Sequence, residues 1–258
     1  MGSYEVGVYW DGVGREVLQR RGDEESGIAS DDTPYYALRQ ARFFEDYLDT
    51  ALRNATTVLE VGPGPGDNLN RLRAQGKTVF GADVSEIMMK VAGRNGLDCI
   101  RPMDGAHLPF EDRFCDAVFT STVLQHNPNQ QAAQLLAEIA RVASQEIHLF
   151  EDTAIVPVRD RRSHWSRRAA WYIHELQAHG FELTFKSTLP LAGQEVAAVL
   201  ARITVDRHLT QGAPPSPRRL RLEDMLCRVA RPIDRHVPPV LGLTRISFRR
   251  RVTAARAS

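Results

Sequence analysis

Cysteine is nearly absent from this chain: Cys99, Cys115 and Cys227 are the three in 258 residues. An odd, widely spaced set excludes a complete disulfide framework and any C-x-x-C metal pair. Cys99 and Cys115 are therefore expected as small core residues of a reduced, cytoplasmic protein, with no metal bound. Lysine is as scarce, with Lys77, Lys90 and Lys186 among 33 basic residues. No apolar run has the length of a signal-peptide core or a membrane span, so neither is expected. A net charge of +1 argues against a generally membrane-seeking or nucleic-acid-seeking surface. What the chain does have is length enough for one decorated α/β domain with ample core.

The stretch from Thr57 to Asp67 (TVLEVGPGPGD) organises the rest. Its β-branched run 58–61 reads as a buried strand of a parallel sheet. Three glycines at alternate positions follow, and leucines at 69 and 72 suit the first turns of a helix. Strand, glycine turn and helix make the first unit of a Rossmann-like fold, where a nucleotide-type ligand lies across the strand ends. The spacing is G-x-G-x-G, whereas the dinucleotide fingerprint is G-x-G-x-x-G. Glu60 and Asp67 flank the turn, and a pyrophosphate would feel both carboxylates across a poorly screened gap. A ligand carrying an ammonium and a sulfonium is favoured instead, which points to S-adenosylmethionine over NAD. Asp83 ends the next strand (77–82), where a carboxylate can accept from two ribose hydroxyls; NAD would want the same group.

A third strand (98–101) leads to Met103 and the segment DGAHLPF, and a fourth spans 114–121. In order, "VLEVGPGPG", "GADVSE", "DGAHLPF" and "FCDAVFTSTVLQH" resemble the class I SAM-dependent methyltransferases, closest to their small-molecule, type-11-like branch. The resemblance covers about residues 56–152. It implies an α/β fold: a Rossmann-like seven-stranded sheet with helices on both faces. One domain is expected, with an N-terminal helical lid (1–55), a cofactor core (56–190), a helical insertion (191–240), and a last strand and tail (241–258).

The resemblance also assigns roles. Gly62, Gly64 and Gly66 would let the backbone approach the methionine part, with Glu60 steering its ammonium indirectly. Asp83 would hold the ribose, Val84 would pack on the adenine, and Asp104 would accept from the adenine amino group. Gly105 and Ala106 would offer backbone N–H groups to the ring, and Ser121 joins the cofactor residues at the end of the fourth strand. S-adenosylhomocysteine is the implied product. The other reading of Asp104 is a turn former ahead of Gly105.

His126 follows the fourth strand, at the carboxyl edge where such sheets meet ligands. A neutral imidazole suits proton removal near pH 7, so His126 is the candidate base; ordering the turn into Pro128 is its alternative role. Tyr9, Trp10, Tyr36, Arg39, Gln125 and Asp152 are the candidate acceptor contacts, and Glu151 shares the strand end with Asp152. Asn127-Pro128-Asn129-Gln130 lacks the second proline and the aromatic of the D/N-P-P-Y/F motif, so base methylation of that kind is not expected.

Helices are expected at 35–53, opened by Asp31-Asp32-Thr33-Pro34, and at 86–93, capped by Ser85. Further helices are read at 131–143, 168–179, 193–205 and 222–231, with strands at 146–150, 181–185 and 243–248. The last strand is expected antiparallel beside the sixth, and loops are expected at 20–30 and 212–217. Residues 214–258 hold eleven arginines against Glu223, Asp224 and Asp234, a basic excess that faces solvent, pairs with the acidic body or binds RNA. The expected reaction is methyl transfer to a small natural-product or metabolite acceptor, with a homodimer as one assembly open to the chain. An RNA methyltransferase, an NAD-dependent oxidoreductase and a non-catalytic SAM-binding protein are the alternatives.

Overall fold

The structure, a computed structural model, describes residues 6–21, 33–154, 159–160, 164–208, 214–234, 236, 239 and 241–252. Helices α1 (Val6–Arg21) and α2 (Pro34–Arg42) come first, and α2 continues through a π-helical turn (Phe43–Leu48) into α3 (Asp49–Ala51). Strands and helices then alternate as β1 (Thr57–Val61), α4 (Asp67–Ala74), β2 (Thr78–Asp83), α5 (Glu86–Arg94), β3 (Ile100–Pro102) and β4 (Cys115–Ser121). A 3-10 turn (Leu124–His126) leads to α6 (Asn129–Val142), β5 (Ala143–Ala154) and a short hairpin, β6 (Arg159–Asp160) and β7 (His164–Trp165). The chain closes with α7 (Ala169–Ala178), β8 (Phe181–Thr188), α8 (Ala192–Val205), α9 (Pro217–Asp234) and β9 (Leu241–Arg250).

Seven strands form one sheet in the order β3-β2-β1-β4-β5-β9-β8. β1 to β5 are parallel, while β9 inserts antiparallel between β5 and β8. The strand order reverses between β1 and β4, and a crevice opens at the carboxyl ends of those two strands.

Side chains alternate across the sheet. Leu59, Val61 and Val118 join α6 and α7 on one face, whereas Val58 and Phe119 join α4 and the π turn on the other. Val58, Leu59 and Val61 are fully buried, each such side chain contributing about 1.5–3 kcal/mol. The continuous apolar run is therefore a strand covered on both faces.

Several boundaries shift for identifiable reasons. The segment expected as one helix over 35–53 widens at the π turn, which lets Phe43, Tyr47 and Leu48 all bury. β5 is longer than 146–150 because it pairs with β9 from Glu146↔Arg249 to Ala154↔Leu241. α9 starts at Pro217, five residues early, with proline in the first turn where no N–H is needed. Residues 6–21 are helical, so the start of the loop expected at 20–30 is the end of α1. Residues 22–30 of that loop and 212–213 of the expected linker lie outside the described residues.

Candidate active site

The floor of the crevice is the turn after β1. Gly62 has φ +70° and donates its N–H to the Ala82 carbonyl at 2.8 Å. Gly64, at φ +52°, donates to Asp83 Oδ2 at 3.0 Å, and a Cβ there would meet nothing within 4 Å. That bare backbone faces open space, as close approach to a ligand requires. Gly66 differs: at φ +91° a Cβ would lie 2.1 Å from Leu97 Cδ1. It is a packing glycine that starts α4.

Glu60 lies beside this turn, almost wholly buried. Its Oε1 accepts from Asn68 Nδ2 at 2.7 Å, whereas Oε2 has no hydrogen-bond partner among the described residues. Burial, reinforced by Asp83 and Asp67, pushes the carboxyl up to about 8. An orphaned buried acceptor on a cavity floor is matched by a cationic donor.

Asp83 ends β2. Oδ2 receives the Gly64 N–H and Oδ1 receives the Ser85 N–H at 2.9 Å, while burial raises its pKa. Ser85 caps α5 by accepting from the Met88 N–H, and its own hydroxyl donates to Asp11 of α1 at 2.7 Å. α1 is thereby fastened over α5, with Trp10 and Val13 packed on Met88 and Val91.

The loop after β4 forms the opposite wall. Thr122 holds φ +57°, which is strained for a β-branched residue and typical of functional sites. Its N–H donates to the Phe150 carbonyl at 2.8 Å. His126 meets Trp10 edge to face, ring centroids 5.0 Å apart. The Gln125 Oε1 receives the Asp152 N–H at 3.3 Å. Buried Arg167 clamps the loop from behind, donating to the carbonyls of Leu124 (2.7 Å) and Asn127 and to Asn129 Oδ1 (3.0 Å). Glu151 serves the same loop. Its Oε1 accepts from Thr120 Oγ1 (2.7 Å) and the Val123 N–H (3.2 Å), and burial pushes it up to about 7.

The roof comes from α1 and α2. Arg39 donates to Asp152 Oδ1 at 2.6 Å, joining α2 to the end of β5. The α2 N-terminus is held by the insertion, since the Tyr35 N–H donates to Glu223 Oε1 of α9 at 3.1 Å. Thr33 supplies the cap, accepting from the Tyr36 N–H at 3.2 Å.

These walls enclose a cavity of about 660 Å³. Glu60, Gly62, Gly64, Asp83, Val84, Gly105 and Ser121 line it together with Tyr9, Trp10, Tyr36, Arg39, Gln125, His126 and Asp152. Three residues expected at the cofactor do not line it. Gly66 packs on Leu97. The Asp104 carboxylate is exposed and spent on its own turn, taking the Ala106 and His107 N–H groups at 2.8 and 2.7 Å and the His107 ring at 2.8 Å. Those bonds hold it down to about 2 and occupy the Ala106 N–H as well. Met103 and Gly105, on either side of Asp104, line the cavity in its place.

Sequence reasoning missed Asn68, Thr122 and Arg167. A polar residue opening a helix beside a buried glutamate could have flagged Asn68, but nothing local marks the other two. Glu151, read as a strand-end carboxylate beside Asp152, is not among the lining residues. Among the described residues no group of three His, Cys, Asp or Glu could hold a metal ion, and no helix is long and apolar enough to cross a membrane.

Comparison with known proteins gives a consistent picture. Residues 59–150 match the family model described as a methyltransferase domain. A protein described as an uncharacterized methyltransferase from Geobacillus sp. (strain WCH70) is 31% identical over 142 residues. The match covers 54% of this chain and spans 63% of that relative's length. Among solved structures, the [4+2]-cyclase SpnF superposes with TM-score 0.66 at 18% identity, covering 96% of both chains. Magnesium protoporphyrin IX methyltransferase from Synechocystis PCC 6803 with bound S-adenosylhomocysteine gives TM-score 0.60 at 16% identity, covering 95% of this chain and 98% of that one. At these identities the solved structures establish the shared fold.

Proposed function

We propose, from a methyltransferase domain at residues 59–150 on the class I fold, that this chain transfers a methyl group from S-adenosylmethionine to a small-molecule acceptor. The observation that carries the reading is the unbonded, buried Glu60 Oε2 on the cavity floor. The ammonium of the cofactor's methionine part would displace the Glu60 proton and pair with the resulting carboxylate, a gain that the pyrophosphate of NAD cannot provide. The residues fit the rest of the group as well. Gly64, open where a Cβ would stand, and Gly62, whose Cβ space is taken by Val123, would lie along the methionine part. Asp83 would receive the ribose hydroxyls, and Val84, Met103 and Gly105 would bound the adenine.

When bound, the cofactor supplies a sulfonium methyl group whose bond to sulfur breaks with its electron pair left on sulfur. The protein's share is alignment and proton removal. His126 would take the proton from the acceptor's nucleophilic atom, its ring braced by Trp10 and its loop clamped by Arg167. Arg39 and Asp152 neutralise one another at 2.6 Å, so the polar part of the acceptor end carries balanced charge. With Tyr9, Trp10, Tyr36 and Phe43 around it, this favours a neutral, largely apolar acceptor of the natural-product or metabolite kind.

Calorimetric titration of the full chain with S-adenosylhomocysteine, NAD and NADH tests the reading. Micromolar binding of the homocysteine compound alone is expected, weakened at least tenfold in Asp83→Asn (about 1.4 kcal/mol or more). Binding of NAD instead would overturn it. The SpnF likeness makes a second assay necessary, because a shared fold does not dictate chemistry. Transfer of a labelled methyl group into candidate acceptors, abolished in His126→Ala, is the expected result.

A further inference from the structure

The arginine excess near the C-terminus is not used by the pocket, and the structure shows where part of it lies. α8 and α9 pack on each other through Ala197, Cys227 and Ala230. Their outer faces are apolar and exposed. On α8, Val196, Val199, Leu200 and Ile203 stand at i, i+3, i+4 and i+7; on α9, Met225, Val229 and Ile233 stand at i, i+4 and i+8. Each of the seven is 47–64% exposed. Such stripes mark the side of a helix that meets an apolar environment, yet here the opposite sides already fill that role.

The charges bordering these stripes are predominantly arginine. Arg202, Arg218, Arg221, Arg228 and Arg231 are exposed. Arg221 and Arg228 stand four before and three after Met225, so they share its face. Of the carboxylates of the two helices, Glu223 and Asp234 are buried and Glu195 lies against Tyr35, while half-exposed Asp224 pairs with Arg228 at 2.9 Å, so the other four arginines supply the excess.

We propose that the outer face of α8 and α9 docks on an anionic lipid surface, its aliphatic stripes entering the headgroup boundary while the arginines meet lipid phosphates. Both features are then used at once. A second copy of the chain would set arginines against arginines. A nucleic acid would use the arginines but leave seven aliphatic side chains in water. The overall charge of +1 hides this face because it averages over a body of the opposite sign.

The test is co-sedimentation of the full chain with vesicles of phosphatidylcholine, with and without phosphatidylglycerol. Binding to the mixed vesicles is expected, at least about tenfold tighter than to phosphatidylcholine alone. The exposed substitutions Val199→Asp and Ile203→Asp should abolish it. The pair Arg221→Gln and Arg228→Gln should weaken it by about 25-fold, roughly fivefold for each arginine. All variants should bind S-adenosylhomocysteine as the parent chain does, which shows that they remain folded. The proposal is overturned if the parent chain ignores mixed vesicles. It is also overturned by a dimer in light scattering that Val199→Asp dissociates, or by single-stranded RNA binding that the aspartate variants leave unchanged.

Discussion

Glu60 concentrates the electrostatic tension of the site in one side chain. In the folded state it keeps its proton up to about pH 8, whereas its ordinary value is 4.5. Between those limits the native state holds a proton that the unfolded chain has released, so stability falls as pH rises. The contribution is fully present below pH 4.5 and lost above about 8. Glu60→Gln removes that decline. Parent and variant should melt together near pH 5, and the variant should melt about 3 °C or more higher at pH 8.5, checked by calorimetry. S-adenosylhomocysteine should restore the parent at pH 8.5 and leave the variant nearly unchanged. The glycines separate along similar lines. Gly66→Ala meets Leu97 at 2.1 Å and an unfavourable φ, so a loss of about 3 kcal/mol or more is expected in urea unfolding. Gly64→Ala meets only the unfavourable φ, at about 1–2 kcal/mol, and its larger effect should be on cofactor affinity.

At the scale of elements, the decisive arrangement is the loop 122–127 held between β4, β5 and Arg167. Three backbone carbonyls and one side-chain oxygen accept from that guanidinium. Arg167→Met removes these bonds, the Leu124 carbonyl keeping only the Asn127 N–H, at a cost of about 1–3 kcal/mol. It should also lower methyl transfer at least tenfold while S-adenosylhomocysteine affinity stays within about twofold, because the residues proposed to hold the cofactor lie on the far wall. Arg167→Lys should recover part of the rate. A merely structural role would move melting and rate together with no such split from affinity. The roof depends on a second inter-element bond, from the Tyr35 N–H to buried Glu223. Glu223→Ala should speed hydrogen exchange over residues 35–42 at least tenfold by mass spectrometry, while exchange in β1 and β4 is unchanged.

Across the whole molecule, the parallel half of the sheet builds the floor of the cavity and the helices outside that half build the roof. α1 fastens to α5 through Asp11, α2 fastens to β5 through Arg39, and α9 fastens to α2 through Glu223. The insertion between β8 and β9 thus reaches the pocket through α2, with its own outer face left apolar and arginine-bordered.

What the sequence by itself determined is local in character. A buried β-branched run, glycines at alternate positions, a cap residue ahead of an apolar helix and a carboxylate at each of two strand ends are all written within a few residues. They were enough to predict the parallel core and, with an alternating last segment, the antiparallel last strand; the resemblance to class I methyltransferases then pointed to fourteen of the residues that line the cavity. What only the tertiary structure decided is which partner each polar group found. Asp104 turned to His107 three residues away, Gly66 answered Leu97 across a helix, and Arg167 crossed some forty positions to hold Asn127. Such choices depend on distances between elements that no spacing along the chain encodes. A buried donor or acceptor takes whatever partner the packing brings within reach.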